Sequence, residues 1–263
     1  MSVRIKTLSE IERIEKENNE IIEKDIFQKS WGVKQNNRYD KILEDKFGNL
    51  FDFARSGSLK TAYEKIEATD LSDDLKSYAI NRVANITASW LDESYIGQKD
   101  GVILCDDDKA DWDFEYLGVQ FDLKNSVLPR FLNNKYSDGK SINKDPDGFI
   151  RDMFFESSDG VRSNRLHKQS NRFFMIYYSK KDKEYSSGKI WNTKKLSKIN
   201  FSARKKAIDD VFKQLTENNV FVLDDVEYKH NNEIKVHKRV KCVICLIGEQ
   251  EDGDIKTAVL KSK

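Results

Sequence analysis

Residues 110–129 read ADWDFEYLGVQFDLKNSVLP. Polar and apolar residues alternate through Trp112-Asp113-Phe114-Glu115-Tyr116 and again through Val119-Gln120-Phe121-Asp122-Leu123-Lys124, with Leu117-Gly118 between the two runs. Alternation on both sides of a short glycine-containing break predicts a β-hairpin. Period two puts Asp122 and Lys124 on one face. With a two-residue loop, Tyr116 faces Val119, and counting back along both strands sets Asp113 opposite Asp122. A bulge at Gly118 would slip that pairing by one residue.

Two carboxylates held this close repel unless a cation lies between them or one is protonated, so the pair points to a hard divalent ion such as Mg²⁺. A lysine beside them, Lys124, can orient an attacking water and stabilise charge growing on a phosphate. Phosphodiester hydrolysis is the reaction class that uses all three groups. The alternative is a solvated hairpin face on which Lys124 merely pairs with Asp113. Asp/Glu-x-Lys by itself decides nothing, since it recurs at Glu44, Asp74, Asp107, Glu227, Glu233 and Asp254. Asp122 differs from these in lying on an alternating strand whose hairpin partner carries its own Asp.

Asp113, eight intervening residues, then Asp122-Leu123-Lys124 resembles the signature of the PD-(D/E)XK nuclease superfamily, which includes many restriction enzymes, Holliday-junction resolvases and repair nucleases. Trp112 stands where that signature has proline, a position that is not a ligand. The resemblance implies a restriction-endonuclease-like α/β (α+β) fold, an αβββαβ core with a central mixed sheet flanked by helices. It implies Mg²⁺-dependent hydrolysis of DNA, with Mn²⁺ as a substitute metal. Asp113, Asp122 and Lys124 would be catalytic; Asp113, Asp122 and the backbone carbonyl of Leu123 would hold metal; two copies would pair as a homodimer to cut both strands. The family pattern also has an acid on the preceding helix, and Glu93 is the nearest candidate. The FDLK hairpin, the Arg165-x-His167 string, the Asn171-Arg172 strand start and a late apolar strand together resemble uncharacterised bacterial proteins.

Outward from the hairpin, the pattern before it is mostly helical. Ile11, Ile14, Ile21 and Ile22 predict a helix over residues 8–28; further helices are expected over 39–53 and 59–68. An acidic start at Ser72-Asp73-Asp74 and the stripe Leu75, Ala79, Val83, Ile86, Trp90 and Leu91 predict a helix reaching Leu91 or Glu93. A short strand over 101–105 and an acidic turn, Asp106-Asp107-Asp108, lead into the hairpin. After it, residues 130–144 read as a basic polar loop, and Pro146 opens a helix to about Glu156. Arg165, His167 and Arg172 belong to a string dense in phosphate-capable donors that runs into a buried strand, Phe173 to Tyr178, and they are the candidate DNA contacts. From Ser72 to Tyr178 the order is helix, three strands, helix, strand, the order of the αβββαβ core. A helix from Ser202 to Thr216 and strands over 220–223 and 238–247 complete the chain. Residues 1–70 are expected to form a helical N-terminal extension and 71–263 the nuclease-like domain.

The 263 residues are enough to bury a core. Apolar runs are strand-sized, so no membrane span is expected, and the N-terminal residues lack a signal peptide's apolar centre. Three cysteines suit a reducing compartment, and a cytoplasmic protein is expected. Cys242 and Cys245 have a CxxC spacing, but within a strand they face opposite ways, which makes them buried thiols rather than half a zinc site. The net charge of +1 hides −9 over residues 1–123 and +10 over 124–263. A polyanion approaching from the second half would gain phosphate contacts and on-rate. Restriction or defence against foreign DNA is the expected role. The rivals are a catalytically inactive nucleic-acid-binding protein and a partner-recruiting subunit.

Overall fold

The computed structural model describes residues 7–23, 37–105, 110–127, 135–136, 139–157, 171–179, 201–230, 233–250, 252 and 254–262. Among these, eight α-helices and a mixed, open seven-stranded sheet give an α+β protein. The chain divides into two compact units, residues 1–96 with 194–206, and residues 97–193 with 207–263.

The first unit is helical. It contains α1 (Leu8–Glu23), α2 (Asn37–Phe47), α3 (Leu50–Arg55), α4 (Leu59–Glu67) and α5 (Asp73–Ile96). The single helix expected over 39–53 is two, and the reason is local: Gly48 adopts φ 76°, which ends α2, and Asn49 caps α3 by accepting from the N–H groups of Phe51 and Asp52. Ser58 caps α4 through the Thr61 N–H. Buried Asn18 of α1 accepts from Leu59 N–H at 2.6 Å. Helix α5 is buried on most sides from Tyr78 onward, with Val83, Ala84, Trp90, Leu91 and Tyr95 among its most enclosed residues. Its Asp92 forms a fully buried ion pair with Arg204, whose Nε lies 3.1 Å from Oδ1 and whose guanidinium also sits over the Phe201 ring.

The second unit holds the sheet: β1 (Ile103–Leu104), β2 (Phe114–Tyr116), β3 (Val119–Val127), β4 (Arg172–Ser179), β5 (Phe221–His230), β6 (Glu233–Glu249) and β7 (Ile255–Val259). The spatial order is β1-β2-β3-β4-β6-β5, with β7 also on β6. The hairpin forms in the expected register: Tyr116 faces Val119, Glu115 faces Gln120 and Phe114 faces Phe121. Leu117 and Gly118 both take positive φ, 53° and 67°, as a two-residue turn of type I′ requires, so no bulge slips the pairing. Strand β3 then pairs in parallel with β4, and β4 in parallel with β6.

Neighbouring residues on β4 face opposite sides. Phe174 and Ile176 pack with Phe149, Ile150, Met153 and Phe154 of α7 (Pro146–Ser157). Phe173 instead meets Phe114 and Phe121 edge to face and stacks on Phe212, the last on α8 (Phe201–Gln214). Four further elements depart from expectation. The segment read as loop ends in a short helix, α6 (Gly139–Lys144), because Ile142 is buried in the α7 core. The last strands are longer than their apolar stretches, since β5 and β6 continue as a two-stranded ribbon out to His230 and Glu233. Strand β7, whose exposed and half-buried residues carry little apolar signal, pairs with β6 beyond β5.

Cys105, Cys242 and Cys245 are all buried free thiols; burial pushes Cys242 up to about 12 and raises Cys245 as well, so neither of these two is a thiolate near neutral pH. No described helix is long and apolar enough to cross a membrane.

The Asp92–Arg204 pair supplies a stability test of the helical unit. Asp92→Ala strands a buried guanidinium and is expected to cost roughly 3–5 kcal/mol, read from the denaturant midpoint. A loss below about 1 kcal/mol would show that Arg204 finds another acceptor.

Candidate metal centre

The site lies where β2 begins and where β3 starts to pair with β4. Asp113 directly precedes β2. Its N–H donates to the Phe121 carbonyl at 2.8 Å and its carbonyl accepts from the Cys105 N–H at 2.9 Å, so the backbone is pinned on both flanks. Its carboxylate is pinned as well, with Oδ2 accepting from the Leu123 N–H at 2.7 Å. The Asp113 carboxylate therefore stands beside the residue that follows Asp122. In an extended strand the carbonyl of a residue points to the same edge as its N–H, so the Leu123 carbonyl is directed toward the Asp113 edge too.

Asp122 is fixed from the other side. Its N–H donates to the Asn171 carbonyl at 3.2 Å, at the point where β3 meets β4. Lys124 Nζ lies 2.8 Å from Asp122 Oδ1 and 2.7 Å from Oδ2, as two residues on one face of a strand allow. Arg172 is the register partner of Asp122 across the parallel pair, and its guanidinium reaches Asp122 Oδ2 at 2.9 Å. Lys124 therefore pairs with Asp122, its strand neighbour, and Asp113 is anchored by a backbone N–H.

Asn171 ties the site to the sheet. Its Nδ2 donates to the Gln120 carbonyl at 3.2 Å, its Oδ1 accepts from the Lys241 N–H at 2.9 Å, and its carbonyl also accepts from Arg172 at 3.3 Å. One side chain thus links β3, β4 and β6 immediately below the acidic pair. Phe154 of α7 lies against this cation: the Arg172 guanidinium is 5.3 Å from its ring centroid.

The residues expected to act together are placed as follows. Asp113, Asp122, Leu123 and Lys124 are brought together. Arg172 joins them, but as a buried partner of Asp122 with a side chain 5% exposed, not as an open surface cation. Arg165 and His167 lie outside the described residues, as does the Asp106-Asp107-Asp108 turn. Glu93 is on α5, in the helical unit, and is partly buried. Arg204, in the first turn of α8, spends its charge internally on Asp92. Asn171 was not singled out alone by the sequence, and its signal would have been an Asn at the start of a buried central strand, where a side chain must satisfy neighbouring backbone groups.

Among the described residues no three His, Cys, Asp or Glu side chains form a metal-holding group. The donor set here is two carboxylates and a backbone carbonyl, all hard oxygens. Mg²⁺ is commonly held by one or two carboxylates, with waters and substrate phosphates completing its shell, and this set fits it; a closed zinc site needs a different one. No protein-family model matches the chain, and no curated protein or solved structure is significantly similar to it.

The burial of Arg172 separates two variants that would otherwise look alike. Asp122→Asn removes the charge opposite a buried guanidinium and is expected to lower stability by roughly 3 kcal/mol. Lys124→Met removes a cation that is 32% exposed and should cost less than about 1 kcal/mol. Thermal and denaturant melts of the two variants check the difference, and equal costs would show that Arg172 does not depend on Asp122.

Proposed function

We propose that the chain is a Mg²⁺-dependent endonuclease of restriction-endonuclease-like fold, hydrolysing DNA phosphodiester bonds in restriction or defence. The observation that carries this reading is the register of the hairpin, which sets Asp113 beside Asp122 and Leu123 and places Lys124 Nζ 2.8 Å from the Asp122 carboxylate. The element order supports it as well: α5, then β1, β2 and β3, then α7, then β4, with α6 added between strand and helix.

In this reading Asp113 and Asp122, with the Leu123 carbonyl, hold the cation. When bound it supplies Lewis-acid polarisation of the scissile phosphate and lowers the pKa of the attacking water. Asp113 is kept in place by the Leu123 N–H, so its carboxylate does not have to be ordered when substrate arrives. The ammonium of Lys124 donates to the attacking water or to a phosphoryl oxygen as negative charge develops there. The two acids would be too close together for DNA without cations beside them, and Lys124 and Arg172 meet that need. DNA contacts are assigned to the basic second half of the chain, with Arg165 and His167 the proposed phosphate donors. A homodimer would let two such sites cut opposite strands.

One observation favours a second reading, a nucleic-acid-binding protein without catalysis: Asp122 is already paired with two cations, so it has compensation with no metal present.

Plasmid cleavage in Mg²⁺ or Mn²⁺ separates them. Wild type is expected to cut and to stop on EDTA. Lys124→Met and Asp113→Asn, neither of which strands Arg172, should fall on the order of 100-fold or more in rate. Salt-sensitive DNA binding without cutting under any metal would favour the binding protein.

A further inference from the structure

Arg172 takes no part in the chemistry above, yet the fold encloses it beside the central carboxylate. Its side chain is 5% exposed, bonded to Asp122 Oδ2 at 2.9 Å and to the Asn171 carbonyl at 3.3 Å, with Phe154 5.3 Å away across the guanidinium. It is also held by its own backbone, since Arg172 lies between its register partners Asp122 on β3 and Cys242 on β6. Lys124 differs, because its side chain is 32% exposed and can swing into solvent. Arginine stays charged at every accessible pH, so the positive charge at this position is permanent as well as fixed in place.

Asp113 and Asp122 contribute two negative charges, and Lys124 and Arg172 contribute two positive ones. These four side chains balance before any metal is present. A divalent cation added to them meets a guanidinium that already occupies one Asp122 oxygen and cannot retreat. A phosphodiester bound at the same place supplies negative charge and removes that penalty.

Resting on the metal-dependent reading above, we propose that Arg172 is a fixed counter-ion that competes with the divalent metal for Asp122. It keeps the free protein's metal affinity low until the anionic substrate arrives. Metal and phosphodiester then bind cooperatively, and by linkage each strengthens the other by the same factor. Arg172 is a positioning residue in this scheme and touches neither the scissile bond nor the attacking water.

The test is Mn²⁺ binding to the full chain by calorimetry, with no DNA present, for wild type, Arg172→Met, Arg172→Gln and Arg172→Lys. Circular dichroism and melting establish that each variant is folded; Gln keeps donors for Asp122 and the Asn171 carbonyl if Met does not fold. The two neutral variants are expected to bind Mn²⁺ about tenfold or more tightly than wild type, while the lysine variant, which keeps the charge, stays close to wild type. A folded neutral variant that binds no more tightly than wild type overturns the role of Arg172 and leaves the metal site standing. Absence of Mn²⁺ binding in wild type and in folded neutral variants alike overturns both.

Discussion

The Asp122 carboxylate is the group on which the sheet's central seam turns. It sits at the first paired position of β3 and β4, where its backbone N–H bonds to Asn171 and its side chain meets Lys124 and Arg172. A carboxylate that is 17% exposed needs opposite charge near it, and a guanidinium buried under Phe154 needs an anion even more. Each group makes the other tolerable. Because strand partners in a parallel pair share a face, this dependence also keeps β3 and β4 in register, since a slip by one residue would turn Asp122 away from Arg172 and bury both uncompensated. The same seam carries the features that suggest chemistry, so stability and the proposed function draw on one set of charges.

The hairpin around that seam is where local sequence says most. Alternation, a glycine at the turn and the count of residues between two aspartates determine which side chains oppose one another, and the positive φ values at Leu117 and Gly118 complete the turn those residues imply. Helices α1, α4, α5, α7 and α8 and strand β4 were legible for the same kind of reason, each having strong periodicity and a recognisable start. The α+β class was likewise readable from alternation and apolar stripes, though not the helix α6 that intervenes between β3 and α7.

What was hidden depends on partners distant in sequence or on backbone conformation. The break between α2 and α3 needs Gly48 in the left-handed region and Asn49 as a cap, and an apolar stripe running across both helices masks it. Helix α6 looks polar because a single residue, Ile142, anchors it to the core. The ribbon of β5 and β6 extends past its continuous apolar runs, with Ile234 and Val236 exposed on it, because pairing holds it where burial does not. Arg172 is the sharpest case. In sequence it ends a run of phosphate-capable donors; in the fold a strand fifty residues upstream supplies the acid that claims it. No local pattern distinguishes an arginine that meets DNA from one that meets an aspartate across a parallel pair.

The most direct test of the proposed metal centre is anomalous diffraction from crystals grown with DNA and Mn²⁺. Anomalous density is expected between the carboxylates of Asp113 and Asp122 and the carbonyl of Leu123, with Lys124 Nζ moved off Asp122 toward the phosphate. Ordered DNA and saturating Mn²⁺ with no density there, and with Asp122 still held by both Lys124 and Arg172, would contradict it.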